Sequence, residues 1–190
     1  MKFILASASP RRRELMEMLR VSPLEIRPAK GEEHPDPGLN GEETAAELSR
    51  QKCAEVAASA DPEDVVIAAD TVVWLNGRIF GKPHDHDDAV RMLMALSGRT
   101  HTVYTGVTIS RGGQMRTEVE ASDVHFRELT MEEIEAYIAT GEPMDKAGAY
   151  GAQGYASLFV EGIDGDFFNV MGLPLCRLGQ MLKKFGIALI

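Results

Sequence analysis

The chain has 190 residues, 44% of them hydrophobic, enough to bury a substantial core as one domain or two small lobes. Its formal net charge of −9 argues against a nucleic-acid duplex or an anionic membrane as partner, and it makes any local cluster of cations informative. The two cysteines, Cys53 and Cys176, have no metal or redox spacing and fit buried thiols in a reducing, cytoplasmic setting; no apolar run approaches a membrane span, and the N-terminal "FILA" is too short for a signal peptide.

In chain order, an apolar strand at 2–6 leads into a helix at 10–20, with Ser9 as N-cap and Pro10 at the first helical position. A short strand at 23–28 is followed by a polar loop, "AKGEEHPDPGLN". Asn40 and Glu43 form a capping box for a helix over 41–59. Residues 65–75, "VVIAADTVVWL", are β-branched and almost wholly apolar, as in a buried strand, and Asn76-Gly77 turns the chain into "RIFG". Asp85 caps a helix that runs to Ser97 and is stopped by Gly98; two long strands, 101–110 and 115–127, flank the turn "RGGQ". A second capping box, Thr130 and Glu133, opens a helix over 131–140. The stretch 141–156, "GEPMDKAGAYGAQGYA", is too rich in glycine for a regular element and long for a connection, which marks it as functional or disordered. Strands near 157–161 and 167–171 and a helix at 174–185 complete the pattern. Hairpins mixed with crossovers predict an α/β fold with a mixed sheet and helices packed on it.

Several charges fall where an ordinary surface pattern would not put them. Arg11, Arg12 and Arg13 occupy the first turn of the 10–20 helix, where each cation costs roughly 0.3–1 kcal/mol against the helix dipole. A helical projection splits them: Arg11 and Arg12 fall in the apolar sector of Leu15, Met16, Met18 and Leu19, whereas Arg13 falls opposite, beside Glu17. Two arginine forks at a helix N-terminus just past a strand end suit an anion, with phosphate the natural candidate. Lys52 lies on the apolar stripe Ala45, Leu48, Cys53 and Val56; a lysine covering apolar surface is the simpler account of it. Asp70 is the sole ionisable residue in an eleven-residue apolar run and needs a partner, a cation or a cleft edge. It reads as a metal ligand or general base, the alternative being a structural carboxylate. In "GKPHDHDDA" the acids suit a helix N-terminus better than a metal site, and Lys82 is the residue better placed for a ligand. Glu32 or Glu33 could join Asp70 at a Mg²⁺ ion.

The segments "LASASPRRRELM", "AADTVV", "GKP", "SGRTHTVYTGV", "GEPMDKAGAYGAQG" and "NVMGLPL", in this order from end to end, resemble the Maf family of nucleoside triphosphate pyrophosphatases. The resemblance implies an elongated mixed β-sheet with flanking helices, two lobes around one active-site cleft over residues 1–190, related to inosine triphosphate pyrophosphatases. It implies cleavage between the α- and β-phosphates, releasing a nucleoside monophosphate and pyrophosphate. By the same resemblance Ser7, Ser9, Arg11, Arg12, Lys52 and Lys82 bind the triphosphate, Asp70 is the catalytic acceptor, and Asp70 with Glu33 holds a divalent cation (Mg²⁺, Mn²⁺ or Co²⁺). Arg11, Thr71 and Gln153 resemble the branch acting on dTTP and UTP. A glutamine amide can pair with the O4 and N3–H edge of uracil or thymine, but flipped it suits cytosine, so Gln153 alone does not separate the pyrimidines. A cytoplasmic enzyme, a homodimer, clearance of non-standard pyrimidine nucleotides and a link to cell-division arrest are implied too. Two alternatives stand beside this: the same chemistry on 7-methyl-GTP, and a nucleotide-binding regulator of septum formation without turnover. Glu32-Glu33 stands where the family usually has Asp-Glu, and "GDFFNV" where it usually has Gly-Ser-Tyr-x-Asn-Val.

Overall fold

A computed structural model describes residues 1–31 and 35–190. The elements in order are β1 (Phe3–Leu5), α1 (Pro10–Met18), β2 (Leu24–Ile26), α2 (Gly41–Ala57), β3 (Val65–Leu75), β4 (Arg78–Phe80), α3 (His86–Leu96), β5 (Thr100–Arg111), β6 (Gln114–Phe126), α4 (Met131–Ile138), β7 (Val160–Asp164), α5 (Phe167–Met171) and α6 (Leu175–Lys184). Between α4 and β7 lie three 3-10 turns, Glu142–Asp145, Ala147–Ala149 and Tyr155–Leu158. Among the described residues the strands form one mixed sheet in the order β2-β1-β3-β5-β6-β7, with β4 alongside β3. β1 runs parallel to β2 and β3; the ladders from β3 through β5 and β6 to β7 are antiparallel.

The capping residues read from the sequence form the expected bonds. Asn40 and Glu43 exchange side-chain-to-backbone bonds of 3.0 and 2.9 Å, and Thr130 and Glu133 do the same at 3.2 and 2.9 Å. Each pair satisfies two N–H groups that a helix start leaves unpaired. The Ser9 hydroxyl accepts from the Arg12 N–H at 3.5 Å, and Asp85 accepts from the Asp88 N–H at 2.8 Å. Leu15 and Met16 of α1 are fully buried. Burial of two such side chains contributes roughly 1.5–3 kcal/mol each, which outweighs the dipole cost of the arginines and keeps α1 in place.

β3 joins two cores. Val65, Ile67 and Ala69 pack with Leu15, Met16, Leu178 and Met181 under α1 and α6. Val73 and Leu75 pack with Leu93, Leu96, Ile134 and Tyr137 under α3 and α4. Asp70 lies at the junction, paired in register with Gly106 of β5. That glycine is required by contact: a Cβ there would stand 2.2 Å from the Ala45 carbonyl oxygen of α2. The close approach seats α2 against the sheet beside Asp70.

Four expectations need correction. Residues 167–171 form α5, not a strand: the Asp166 side chain caps it by accepting from the Phe168 N–H at 2.8 Å, and Gly172 ends it at φ 108°. Two good caps outweigh a segment whose single β-branched residue is Val170. The strand expected near 157–161 begins at Val160, because Tyr155–Leu158 closes a 3-10 turn first. Met18, placed on the apolar face of α1, is 60% exposed because the helix ends there, and Cys176 is exposed rather than buried. Cys53 is buried as expected, and burial pushes its thiol up to about 12, so it is inert.

Candidate active site

A cleft of about 930 Å³ opens where β1 meets α1, and it is lined by Ser7, Ser9, Arg11, Arg12, Lys52, Asp70, Thr71, Lys82 and Gln153. Nine of the ten residues singled out for substrate, catalysis, specificity or metal are thus brought to one place from five regions of the chain. The tenth, Glu33, lies with Glu32 outside the described residues.

Asp70 is 7% exposed, at the midpoint of β3. Its carboxylate forms a close ion pair with the Lys52 Nζ of α2. Each charge answers the question raised by the other. Lys52 leaves an otherwise apolar stripe because a carboxylate waits beneath it, and Asp70 can sit in an apolar strand because a cation covers it.

The three arginines separate in space as the projection predicts. Arg13 is exposed and bonded to Glu17 at 2.8 Å, one turn along. Arg12 is a brace as well as a cation. Its Nε donates to the Gly172 carbonyl at 2.7 Å, Nη2 to Thr71 Oγ1 at 3.0 Å and Nη1 to Ser7 Oγ at 3.3 Å. It ties α1 to β3 and to the end of α5. The Thr71 hydroxyl is also 2.9 Å from that of Thr105, which donates to the Asn169 carbonyl. Ser7 accepts from the Ser9 N–H at 3.2 Å, tightening the turn before the helix. Arg11 reaches across the cleft to Asp145 at 3.8 Å.

Lys82 is exposed at the rim, on a segment pinned by the Gly148 N–H to the Gly81 carbonyl at 2.9 Å. Gln153 is exposed on the opposite wall. Of the histidines of "GKPHDHDDA", His84 borders the cleft beside Lys82, whereas His86 pairs with Glu135 at 2.7 Å.

Sequence reasoning missed Asp145, Lys146 and Tyr150, which line the second wall. Lys146 Nζ donates to Asp145 at 2.7 Å and to the Glu142 carbonyl at 2.7 Å. Burial alone would push the Asp145 carboxyl up, but Lys146 and Arg11 together hold it below its usual value. The Tyr150 hydroxyl lies 2.7 Å from His101 Nε2, and burial pushes that imidazole down to about 4. The segment "DKAGAYGAQG" that carries them has no periodicity that would say which side chains face inward.

The family described as Maf-like protein matches residues 2–185. A protein from Carboxydothermus hydrogenoformans named dTTP/UTP pyrophosphatase is 50% identical over 188 residues, covering 98% of this chain and 100% of its own. One of the same name from Agathobacter rectalis is 48% identical, covering 98% of each. Among solved structures, a HAM1 protein from Coxiella burnetii superposes with a TM-score of 0.53 at 14% identity, over 97% of this chain and 99% of that one. The Staphylococcus aureus Ham1 protein gives 0.52 at 14% identity with the same coverage. These two share the fold.

Proposed function

The chain belongs to the Maf-like protein family, and from that premise we propose that it is a nucleoside triphosphate pyrophosphatase that hydrolyses dTTP and UTP to the monophosphate and pyrophosphate. The observation that carries the chemistry is the buried Asp70 carboxylate at the floor of a cleft bordered by Arg11, Arg12, Lys52 and Lys82. The names of the close relatives supply the nucleotides.

A triphosphate carries its charge along a chain of oxygens, and cations supplied by α1, α2 and the segment after β4 can meet it at several points. Arg11, Arg12, Lys52 and Lys82 offset that charge and the charge that grows on the departing pyrophosphate. The N-terminal N–H groups of α1 add a fixed partial positive charge at the same mouth. Asp70 takes the proton from a water attacking the α-phosphorus in line with the leaving oxygen. Lys52 orients that carboxylate and shields it from the phosphates.

A divalent cation (Mg²⁺, Mn²⁺ or Co²⁺) fits the donor set, since Asp70 offers a hard oxygen to the cleft and such ions take the remainder of their shell from substrate phosphates and water. Asp70, with Glu33 as second carboxylate, would hold it, and it would supply charge neutralisation and an acidified water. The reading also carries a single domain over 1–190, a cytoplasmic homodimer, and a role in clearing non-standard pyrimidine nucleotides.

The test is pyrophosphate release from dTTP, UTP, CTP, ATP and 7-methyl-GTP by wild type and Asp70→Asn, with each metal in turn. Wild type should turn over dTTP and UTP fastest and the variant should not. A wild type as slow as the variant with all three metals sinks the enzyme reading, and a preference for 7-methyl-GTP sinks the pyrimidine assignment.

A further inference from the structure

The turn that carries Gln153 is held at both ends by one pair of side chains that do not themselves line the cleft. The Gly151 N–H donates to the Tyr137 hydroxyl at 3.2 Å. The Tyr155 N–H donates to Glu142 Oε2 at 3.0 Å. The pair is closed by the Tyr137 hydroxyl donating to Glu142 Oε1 at 2.9 Å. Inside the turn the Gly154 N–H donates to the Gly151 carbonyl at 2.9 Å, which leaves Gln153 near its apex, facing the cleft.

Two glycines exist to admit this arrangement. A Cβ on Gly154 would stand 2.3 Å from both Glu142 carboxylate oxygens, and a Cβ on Gly151 would stand 2.6 Å from Lys146 Cε. The glycine content of "GAQG" is therefore the imprint of a carboxylate and a lysine stem packed under a turn, rather than a sign of a loose loop. Tyr137 is itself anchored, with its ring edge-on to Phe159 at 5.2 Å in the core under α3 and α4. Burial, with the neighbouring carboxylate, pushes its phenol above the ordinary value, so it remains a donor to Glu142 throughout the working pH range.

We propose that Tyr137 and Glu142 are positioning residues that fix the Gly151–Tyr155 turn and so aim Gln153 at the base of the nucleotide. This rests on the dTTP/UTP reading above. An amide discriminates bases only if its donor and acceptor are held in place, because a swinging amide pairs with uracil and cytosine alike. A backbone clamp from a buried tyrosine and a carboxylate supplies that restraint at both ends of a five-residue turn.

The experiment measures kcat and KM for UTP, dTTP and ATP in Tyr137→Phe, Glu142→Ala and Glu142→Gln, alone and with Gln153→Ala. Tyr137→Phe and Glu142→Ala should lower the ratio of kcat/KM for UTP over ATP by about ten-fold, the scale of one lost hydrogen bond to a charged group, chiefly through KM for UTP. Glu142→Gln should recover most of the ratio, since its amide oxygen still accepts from Tyr155. In the Gln153→Ala background neither change should lower the ratio further, because coupled residues are not additive. Equal losses on UTP and ATP, or an unchanged ratio in folded variants, overturn the positioning role while the substrate reading stands. A wild type that does not hydrolyse UTP or dTTP defeats the substrate reading and this inference with it.

Discussion

The two walls of the cleft are built by different means. On the first, Arg11, Arg12, Lys52 and Asp70 sit on α1, α2 and β3, elements held by backbone ladders, capped termini and the contact between α2 and Gly106. On the second, Lys146, Tyr150 and Gln153 sit between α4 and β7 on turns that combine short-range backbone bonds with side chains reaching the backbone: Tyr137 and Glu142 to Gly151 and Tyr155, Lys146 to Glu142, with His101 against Tyr150. A wall of regular elements is stiff and tolerates little change. A wall of clamped turns can be altered one side chain at a time. In the proposed function the first holds the triphosphate common to all nucleotides, and the second meets the base that differs among them.

Substitutions can break or sharpen this contrast. The largest effect belongs to Asp70→Asn, which should lower kcat by about 10²–10⁴, the range for a lost general base, with the fold intact by circular dichroism. Next is Gly106→Ala. The atoms it strikes are α2 backbone at 2.2 and 2.5 Å, so the loss in stability should reach or exceed the top of the usual range of about 1–3 kcal/mol for overpacking. Denaturant melts of that variant should show a lower midpoint, and a wild-type midpoint would mean that α2 is not held so rigidly.

The second wall has a pH signature. His101 is buried and its imidazole lies at about 4, below the ordinary 6.5. The unfolded chain therefore binds a proton that the folded chain refuses between those values. The stability contributed by neutral His101 is fully present above pH 6.5 and is lost as pH falls toward 4, by up to about 3 kcal/mol. His101→Gln should remove that part of the pH dependence of the melting temperature; identical curves for variant and wild type would refute it.

The arginines give the smaller effects. Arg11→Ala and Arg12→Ala should each cut kcat/KM by about ten-fold or more, on the scale of roughly 1.5–3 kcal/mol for a charge-assisted contact. Arg12→Ala should also lower the melting point, because the Gly172 carbonyl and the Thr71 hydroxyl lose their donor. Arg13→Ala sits at the bottom of the scale, within about 0.5 kcal/mol in stability and near wild type in activity, since its exposed pair with Glu17 is screened by solvent.

By itself the sequence determined the elements whose evidence is local. Capping boxes, a β-branched run, the Asn76-Gly77 turn and a helical projection depend on neighbours within one or two turns of chain, and these located α2, β3, β4, α4 and the division between Arg12 and Arg13. Anomalous charges on apolar faces, Lys52 and Asp70, were legible for the same reason. Tertiary structure alone decided what those charges meet. Lys52 finds Asp70 across 18 positions, Arg12 finds Gly172 across 160, and Gly151 finds Tyr137 across 14. The turn from 141 to 156 takes its shape from pairs a dozen or more positions apart, Gly151 with Tyr137 and Tyr155 with Glu142, which no periodicity encodes; α5 is set by its own caps, Asp166 and Gly172, which the hydropathy pattern does not register.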